Sequence, residues 1–212
     1  MDIPHRLSVK KLSVMLRNVS AVFFDLDGTL LDSGLDFHAL RTKLAWPDKV
    51  DLLAYLAELP CPKERAKAAD TIHEFEMAGA ANSEWMPGAK ALLAFLAEQD
   101  IATGIVTRNT RAAFDLCANR LGIPPLALIS REDAPAKPDP TGLLNLAARF
   151  SVAPANTIYV GDYVYDLQAA AAAGMRSCLY DPSGNSEYSD QADITIRHFD
   201  QLASLLAGFN TR

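Results

Sequence analysis

Short apolar runs alternate along this chain with longer segments whose apolar positions recur every three or four residues. That alternation predicts parallel strands covered by helices. Strands are expected at Ala21–Asp25, Ile101–Thr107, Leu126–Ile129, Thr157–Gly161 and Arg176–Tyr180, with a weaker one at Asp193–Ile196. Pro87-Gly88 opens a helix on which Leu92, Phe95 and Leu96 share a face. Thr110 is placed to cap a helix that runs to Leu121 and stops at Gly122. Asp139-Pro140 starts another, with Leu143, Leu144, Ala147 and Phe150 facing inward. Val164 to Ala173 forms a further helix, with Gly174 where a left-handed C-cap is expected. Leu202, Leu205 and Leu206 mark a terminal helix.

The rhythm breaks between Leu35 and Trp85, where no convincing strand stands and two or three helices are expected. Leu52, Leu53, Leu56 and Leu59 form one apolar face; Ala69, Ile72, Phe75 and Gly79 form another. Pro60-Cys61-Pro62 separates them, since proline ends one helix and can begin the next. A helical insertion of this size replaces the ordinary crossover after a first strand.

Composition narrows the class. The chain has 212 residues, half of them hydrophobic and 22% charged, with a formal net charge of −6. These are the proportions of a globular protein with one ordinary core. No basic surplus exists to release counterions, so nucleic acid is not the expected partner. Small phosphorylated metabolites remain open, because one or two local cations and a metal can hold them. The three cysteines, Cys61, Cys117 and Cys178, show no metal-ligand spacing and read as free thiols in a reducing compartment. No apolar run approaches the about 18 residues of a membrane span. Near the N-terminus His5, Arg6, Lys10 and Lys11 are followed by Leu12 to Val19, but Ser13, Arg17 and Asn18 interrupt any signal-like core. The expected location is the cytoplasm, with no membrane association and no obligate protein partner.

The chemistry gathers at strand ends, beyond which ligands bind in open parallel sheets. The first strand ends in Asp25-Leu26-Asp27-Gly28, two carboxylates spaced two apart and followed by a glycine that tolerates a sharp turn. Like charges at close range disfavour joint ionisation, so the pair needs a cation, a proton or a chemical task. The second strand ends in Thr107-Arg108-Asn109. The fourth ends in Gly161-Asp162, with Asp166 four residues on, and Lys137 lies in the loop before it. Four acids, one hydroxyl and one lysine would meet at one rim. Oxygen ligands of this kind suit Mg²⁺.

The order DLDGTL, strand-terminal threonine, Lys137-Pro138 and GDxxxD resembles the haloacid dehalogenase superfamily of phosphohydrolases, with a phosphoglycolate-phosphatase-like arrangement. The four signatures span Asp25 to Asp166. The resemblance implies an α/β fold, a Rossmann-like three-layer α/β/α parallel-sheet core of residues 1–34 and 86–212, and a small helical cap at 35–85. It also implies roles. Asp25 would be the nucleophile that forms an aspartyl-phosphate, and Asp27 the acid and base. Thr107 would hold a phosphate oxygen, and Lys137 would neutralise Asp25 and the phosphate. Mg²⁺ would be bound by Asp25, Asp162 and the backbone carbonyl of Asp27. Asp166 is either a further ligand or a support for the others, with support favoured. The implied activity is Mg²⁺-dependent hydrolysis of a small phosphomonoester, phosphoglycolate-like or a sugar phosphate. A sugar phosphomutase, a halide-removing hydrolase and a receiver-like phospho-acceptor module are the rival readings. One departure stands out: the family's threonine/serine-asparagine pair is here Thr107-Arg108-Asn109. Arg108 and Asn109 are therefore both candidates for substrate contact beyond Thr107.

Other residues carry weaker signals. His38 and His73 fall in the inserted helices, and His5 and His198 near the termini, none with metal-ligand spacing. Trp46 and Trp85 are expected to pack, the latter at the cap–core junction. Arg41 and Lys43 are expected on a solvated helix face. Tyr163 and Tyr165 either line the rim or pack the helix that follows.

Overall fold

A computed structural model describes residues 18–209 of the chain. They divide into two compact units. One holds the chain through Leu31, Trp85–Arg108 and the residues from Pro125 onward; the other holds Asp32–Glu84 and Asn109–Pro124. The second unit thus includes 109–124 as well as the inserted segment. The N-terminal basic stretch and His5 lie outside the described residues.

The first unit is built on a sheet of six parallel strands in the order β5-β4-β1-β6-β7-β8. These are β1 (Ala21–Phe24), β4 (Ala102–Val106), β5 (Ala127–Ile129), β6 (Thr157–Gly161), β7 (Arg176–Tyr180) and β8 (Ile194–Ile196). Two two-residue strands, β2 (Leu31–Asp32) and β3 (Glu84–Trp85), stand at the ends of the inserted segment. β3 is a short strand where the sequence pattern offers none.

Every residue of β1 and β6 is buried. A strand covered on both faces reads as a continuous apolar run rather than an alternation, which is why AVFF and TIYVG stand out in the sequence. Alternate side chains serve opposite layers. Ala21, Phe23 and Tyr159 pack with Leu143, Leu146 and Ala147 of α6 (Thr141–Phe150) and Ala169 and Ala170 of α7 (Val164–Ala172). On the other face Phe24 meets Phe199 edge to face at 6.5 Å, and Tyr180 stacks on Phe199 at 4.4 Å. Phe199 opens α8 (Phe199–Phe209), which packs against α4 (Ala89–Glu98). Helix, sheet and helix make three layers, the α/β class expected. Leu144 departs from the expectation. It is 40% exposed, because Leu143, Leu146 and Ala147 already fill the buried face of α6.

The second unit contains α1 (Phe37–Leu44), α2 (Leu52–Glu58), α3 (Pro62–Asn82) and α5 (Arg111–Leu121). Asp36 and Asp51 cap the first two, each carboxylate accepting the N–H of the residue three positions on. Pro62 stands in the first turn of α3, where its missing N–H costs nothing. Leu40, Leu52 and Ile72 form the buried centre, with Trp46, Leu56 and Phe75 packed around it. The buried row of α3 is Ala68, Ile72, Glu76, Gly79 and Ala80, one position off the row read from the sequence except at Ile72 and Gly79. Thr110 caps α5 through the Ala113 N–H at 3.3 Å, and Gly122 ends it with φ +66°. Among the described residues, no helix is long and apolar enough to cross a membrane.

Candidate active site

Sheet order places a topological switch at β1: the chain moves outward through β4 and β5, then returns to β6 on the other side. The crevice beyond such a strand is where an open α/β sheet takes its ligand. The Asp25 N–H still donates to Val160 O at 2.8 Å, so the residue is fixed by the neighbouring strand before the chain turns. The Leu26 carbonyl then accepts the N–H groups of Leu30 and Leu31, both at 2.9 Å, folding Leu26 to Leu31 into a tight loop. Gly28 sits in that loop with φ +79°. A Cβ there would run into the Asp162 carboxylate, so glycine lets two functional loops approach.

Lys137 anchors the site. Its side chain is 3% exposed, and its ammonium lies 2.7 Å from Asp25 Oδ1, 2.6 Å from Asp166 Oδ1 and 2.8 Å from the Tyr159 hydroxyl. An ammonium has three N–H donors, and all three have acceptors. The Tyr159 hydroxyl in turn donates a hydrogen bond to Val106 O at 3.0 Å, which ties the lysine to the end of β4. Burial alone would lower the Lys137 pKa, but Asp166 and Asp25 outweigh it and hold the amine above the ordinary lysine value. Burial, followed by Asp166 and Asp25, pushes the Tyr159 phenol well above its usual range.

Asp166 stands at the third position of α7 and accepts the Tyr163 N–H on Oδ2 at 3.0 Å, so it caps its own helix while Oδ1 faces Lys137. Both oxygens are engaged. Asp162 accepts the Thr29 hydroxyl at 3.1 Å. Oxygens of Asp25, Asp162 and Asp166 lie within 4.8 Å of one another. Three carboxylates around one ammonium leave an excess of negative charge in a buried place. Burial, and then Asp166, raises the Asp162 pKa to about 7; burial likewise raises Asp25, with Lys137 opposing, to about 8. Such a cluster, all hard oxygen donors and short of positive charge, fits a divalent cation such as Mg²⁺.

The structure thus brings together Asp25, Lys137, Asp162 and Asp166 from three segments of the chain. Thr107 is buried at the end of β4, with its N–H on Ile129 O at 3.0 Å. Asp27 is half-buried in the loop, bridged to Leu31 through the backbone; its side chain is not one of the clustered three. Arg108 is half-buried with its guanidinium over the Tyr165 ring. Asn109 falls in the second unit. Exposed His38 pairs with Asp48 and half-buried His198 with Asp200, both at 3.2 Å.

Two participants escape a reading of the sequence. Tyr159 looks like filler in a buried strand, although a buried phenol always needs a polar partner. Thr29 passes as part of the turn, although a hydroxyl four residues past Asp25 was available to orient a second acid.

Known proteins resemble this chain in sequence and in fold. A family model described as haloacid dehalogenase-like hydrolase matches residues 19–174. A phosphoglycolate phosphatase of Xanthomonas campestris pv. campestris is 30% identical over 212 residues, covering 88% of this chain and 96% of its own length. An uncharacterized hydrolase of Saccharomyces cerevisiae is 29% identical over 205 residues, covering 92% of this chain and 94% of its own. The solved structure of a haloacid dehalogenase-like family protein from Streptococcus pneumoniae superposes with a TM-score of 0.69 at 19% identity, covering 88% of this chain and 98% of that one. At that identity the likeness is one of fold alone.

Proposed function

Because this chain belongs to the haloacid dehalogenase-like hydrolases, we propose that it is a Mg²⁺-dependent phosphatase acting on a small phosphomonoester through an aspartyl-phosphate at Asp25. The observation that carries this reading is the buried Lys137 ammonium held between Asp25 and Asp166. A carboxylate that attacks a phosphate dianion must overcome like-charge repulsion, and a fixed cation beside the nucleophile offsets it.

In this reading an Asp25 oxygen forms a bond to phosphorus as the bond to the leaving oxygen breaks. Asp27 gives that oxygen its proton. Water then attacks the same phosphorus and gives up a proton to Asp27, which frees Asp25 and inorganic phosphate. Thr107 would hydrogen-bond a phosphate oxygen, while Tyr159 and Asp166 keep Lys137 aimed at Asp25. Asp25, Asp162 and the Asp27 carbonyl would hold Mg²⁺, which supplies charge neutralisation and orientation of the phosphate. Asp166, with both oxygens occupied, supports the others. Residues 35–85 would serve as the cap, and residues 1–34 with 86–212 as the catalytic core. Likeness to a phosphoglycolate phosphatase supports a phosphoglycolate-like or sugar-phosphate substrate. The free thiols of Cys61, Cys117 and Cys178 favour the reducing cytoplasm as its compartment.

The test is phosphate release from a panel of phosphorylated metabolites, in Mg²⁺ and in chelator, with Asp25→Asn as the blank. Release that needs both Mg²⁺ and Asp25 is expected. No release from any ester, or full turnover by Asp25→Asn, would overturn the reading. Isomerised sugar phosphate without net release would point instead to a mutase.

A further inference from the structure

Arg108 is placed by a contact that the sequence pattern does not provide. Its guanidinium carbon lies 5.0 Å from the centroid of the Tyr165 ring, over the face. Tyr165 meets Tyr163 edge to face at 5.2 Å, and Tyr163 meets Tyr188 edge to face at 5.3 Å. The guanidinium is therefore one end of a four-residue stack whose other end belongs to the loop after β7.

Topology gives this stack its meaning. Arg108 follows β4 and Tyr165 follows β6, and the two strands flank β1 in the sheet. Neighbouring strands lie about 4.8 Å apart, so the pair reaches across roughly 10 Å, past the carboxyl end of the strand that delivers Asp25. Thr107 immediately precedes Arg108, and Asp162 and Asp166 bracket Tyr165 in sequence. The stack thus belongs to the same rim as the clustered acids, and Tyr163 within it is 46% exposed.

From this we infer that Arg108 determines specificity: its guanidinium, oriented by the Tyr165 ring, receives a second anionic group on the substrate, a carboxylate or further phosphate carried by the leaving group. The inference rests on the phosphatase reading and deepens it. Lys137 does not serve this purpose, since its three donors already go to Asp25, Asp166 and Tyr159. A guanidinium has five N–H donors in a planar fork, so one held over a ring can still offer donors that match a carboxylate or phosphate. Tyr165 is the positioning residue. Holding the side chain in place before binding reduces the ordering cost that a freely solvated arginine would incur.

The experiment compares kcat/KM on phosphoglycolate, on its neutral analogue 2-hydroxyethyl phosphate, and on the bisphosphate of the same two-carbon diol. Wild-type protein should prefer one or both anionic esters to the neutral one by roughly ten- to a hundredfold. The two anionic arms separate carboxylate from phosphate. Arg108→Ala should bring the ratio near one, and Arg108→Lys should recover part of it. Tyr165→Leu should lower the ratio chiefly through KM, with melting curves confirming that each variant folds. Equal losses on charged and neutral esters would assign Arg108 to the transferring phosphate. A ratio unchanged by Arg108→Ala, or no wild-type preference, would leave the stack structural. Each of these outcomes overturns the inference while the phosphatase reading stands. Failure of wild-type protein to release phosphate from all three esters and from p-nitrophenyl phosphate would overturn that reading itself, and the inference with it.

Discussion

Lys137 Nζ and Asp166 Oδ1 meet at 2.6 Å with both side chains only 3% exposed. A buried pair of this kind holds because neither partner is left alone: Lys137 also faces Asp25 and Tyr159, and Asp166 also caps α7. Removing the lysine would take their shared cation from Asp166 and Asp25, and a donor from Tyr159, in a place where burial penalises charge. Lys137→Met is therefore expected to abolish phosphate release and to cost about 3–5 kcal/mol of stability at neutral pH. Asp166→Asn keeps an acceptor for the Tyr163 N–H and should cost less than Lys137→Met. Urea titrations of the two variants check the order, which would reverse if Asp166 rather than Lys137 held the site together.

Tyr159→Phe tests the link between the lysine and the sheet. The change leaves the Val106 carbonyl without its donor and one Lys137 proton without its acceptor, both at buried positions. A cost of about 1–3 kcal/mol is expected. Turnover should fall because Lys137 loses one of the three contacts that aim it, whereas Mg²⁺ affinity should hold, since Tyr159 is outside the acid cluster. Calorimetry with Mg²⁺ alongside steady-state rates separates the two effects.

Much of this architecture is legible in the sequence because doubly covered strands advertise themselves as unbroken apolar runs, and their ends carry the acids. Pattern reading is weaker where a polar residue lies inside. Glu76 occupies the buried row of α3, and a glutamate reads as an outward position, so the row appeared one step away at Ala69 and Phe75. Leu144 shows the opposite error: an apolar residue beside a filled face is left exposed. Tyr159 was hidden for a related reason, its ring belonging to the core and only its hydroxyl to the site. The stacking of Arg108 on Tyr165 depends on how two loops fold back past β1, and no local period encodes that.

Gly28→Ala should damage the site without touching any acid. Its φ of +79° strains an alanine, and the new methyl would press on the Asp162 carboxylate. Roughly 1–3 kcal/mol of destabilisation is expected from the backbone conformation. Displacement of Asp162 should weaken Mg²⁺ binding roughly tenfold or more, because one of the few ligands is lost. A variant that melts lower yet binds Mg²⁺ as tightly as wild type would show that the close approach of the two loops does not matter for the metal.

The acid cluster also sets a pH dependence whose sign can be worked out. Asp25 is raised to about 8 and Asp162 to about 7, whereas both titrate near 3.9 in an unfolded chain. Between about pH 4 and pH 8 the folded, metal-free protein therefore holds protons that the unfolded chain has released. Stability contributed by these groups is fully present below pH 4 and is lost as pH rises through 7 and 8. Mg²⁺ needs the ionised carboxylates, so its binding displaces those protons and strengthens over the same interval. Mg²⁺ affinity is expected to be more than tenfold weaker at pH 6 than at pH 8, and the rise in melting temperature on adding Mg²⁺ should be larger at pH 8. Asp162→Asn should flatten the dependence, because it removes one of the two carboxyl groups that must ionise. Melting curves in Mg²⁺ and in chelator across pH 6 to 8 make the measurement, and a Mg²⁺ increment that shrinks as pH rises would contradict the assignment of these acids to the metal.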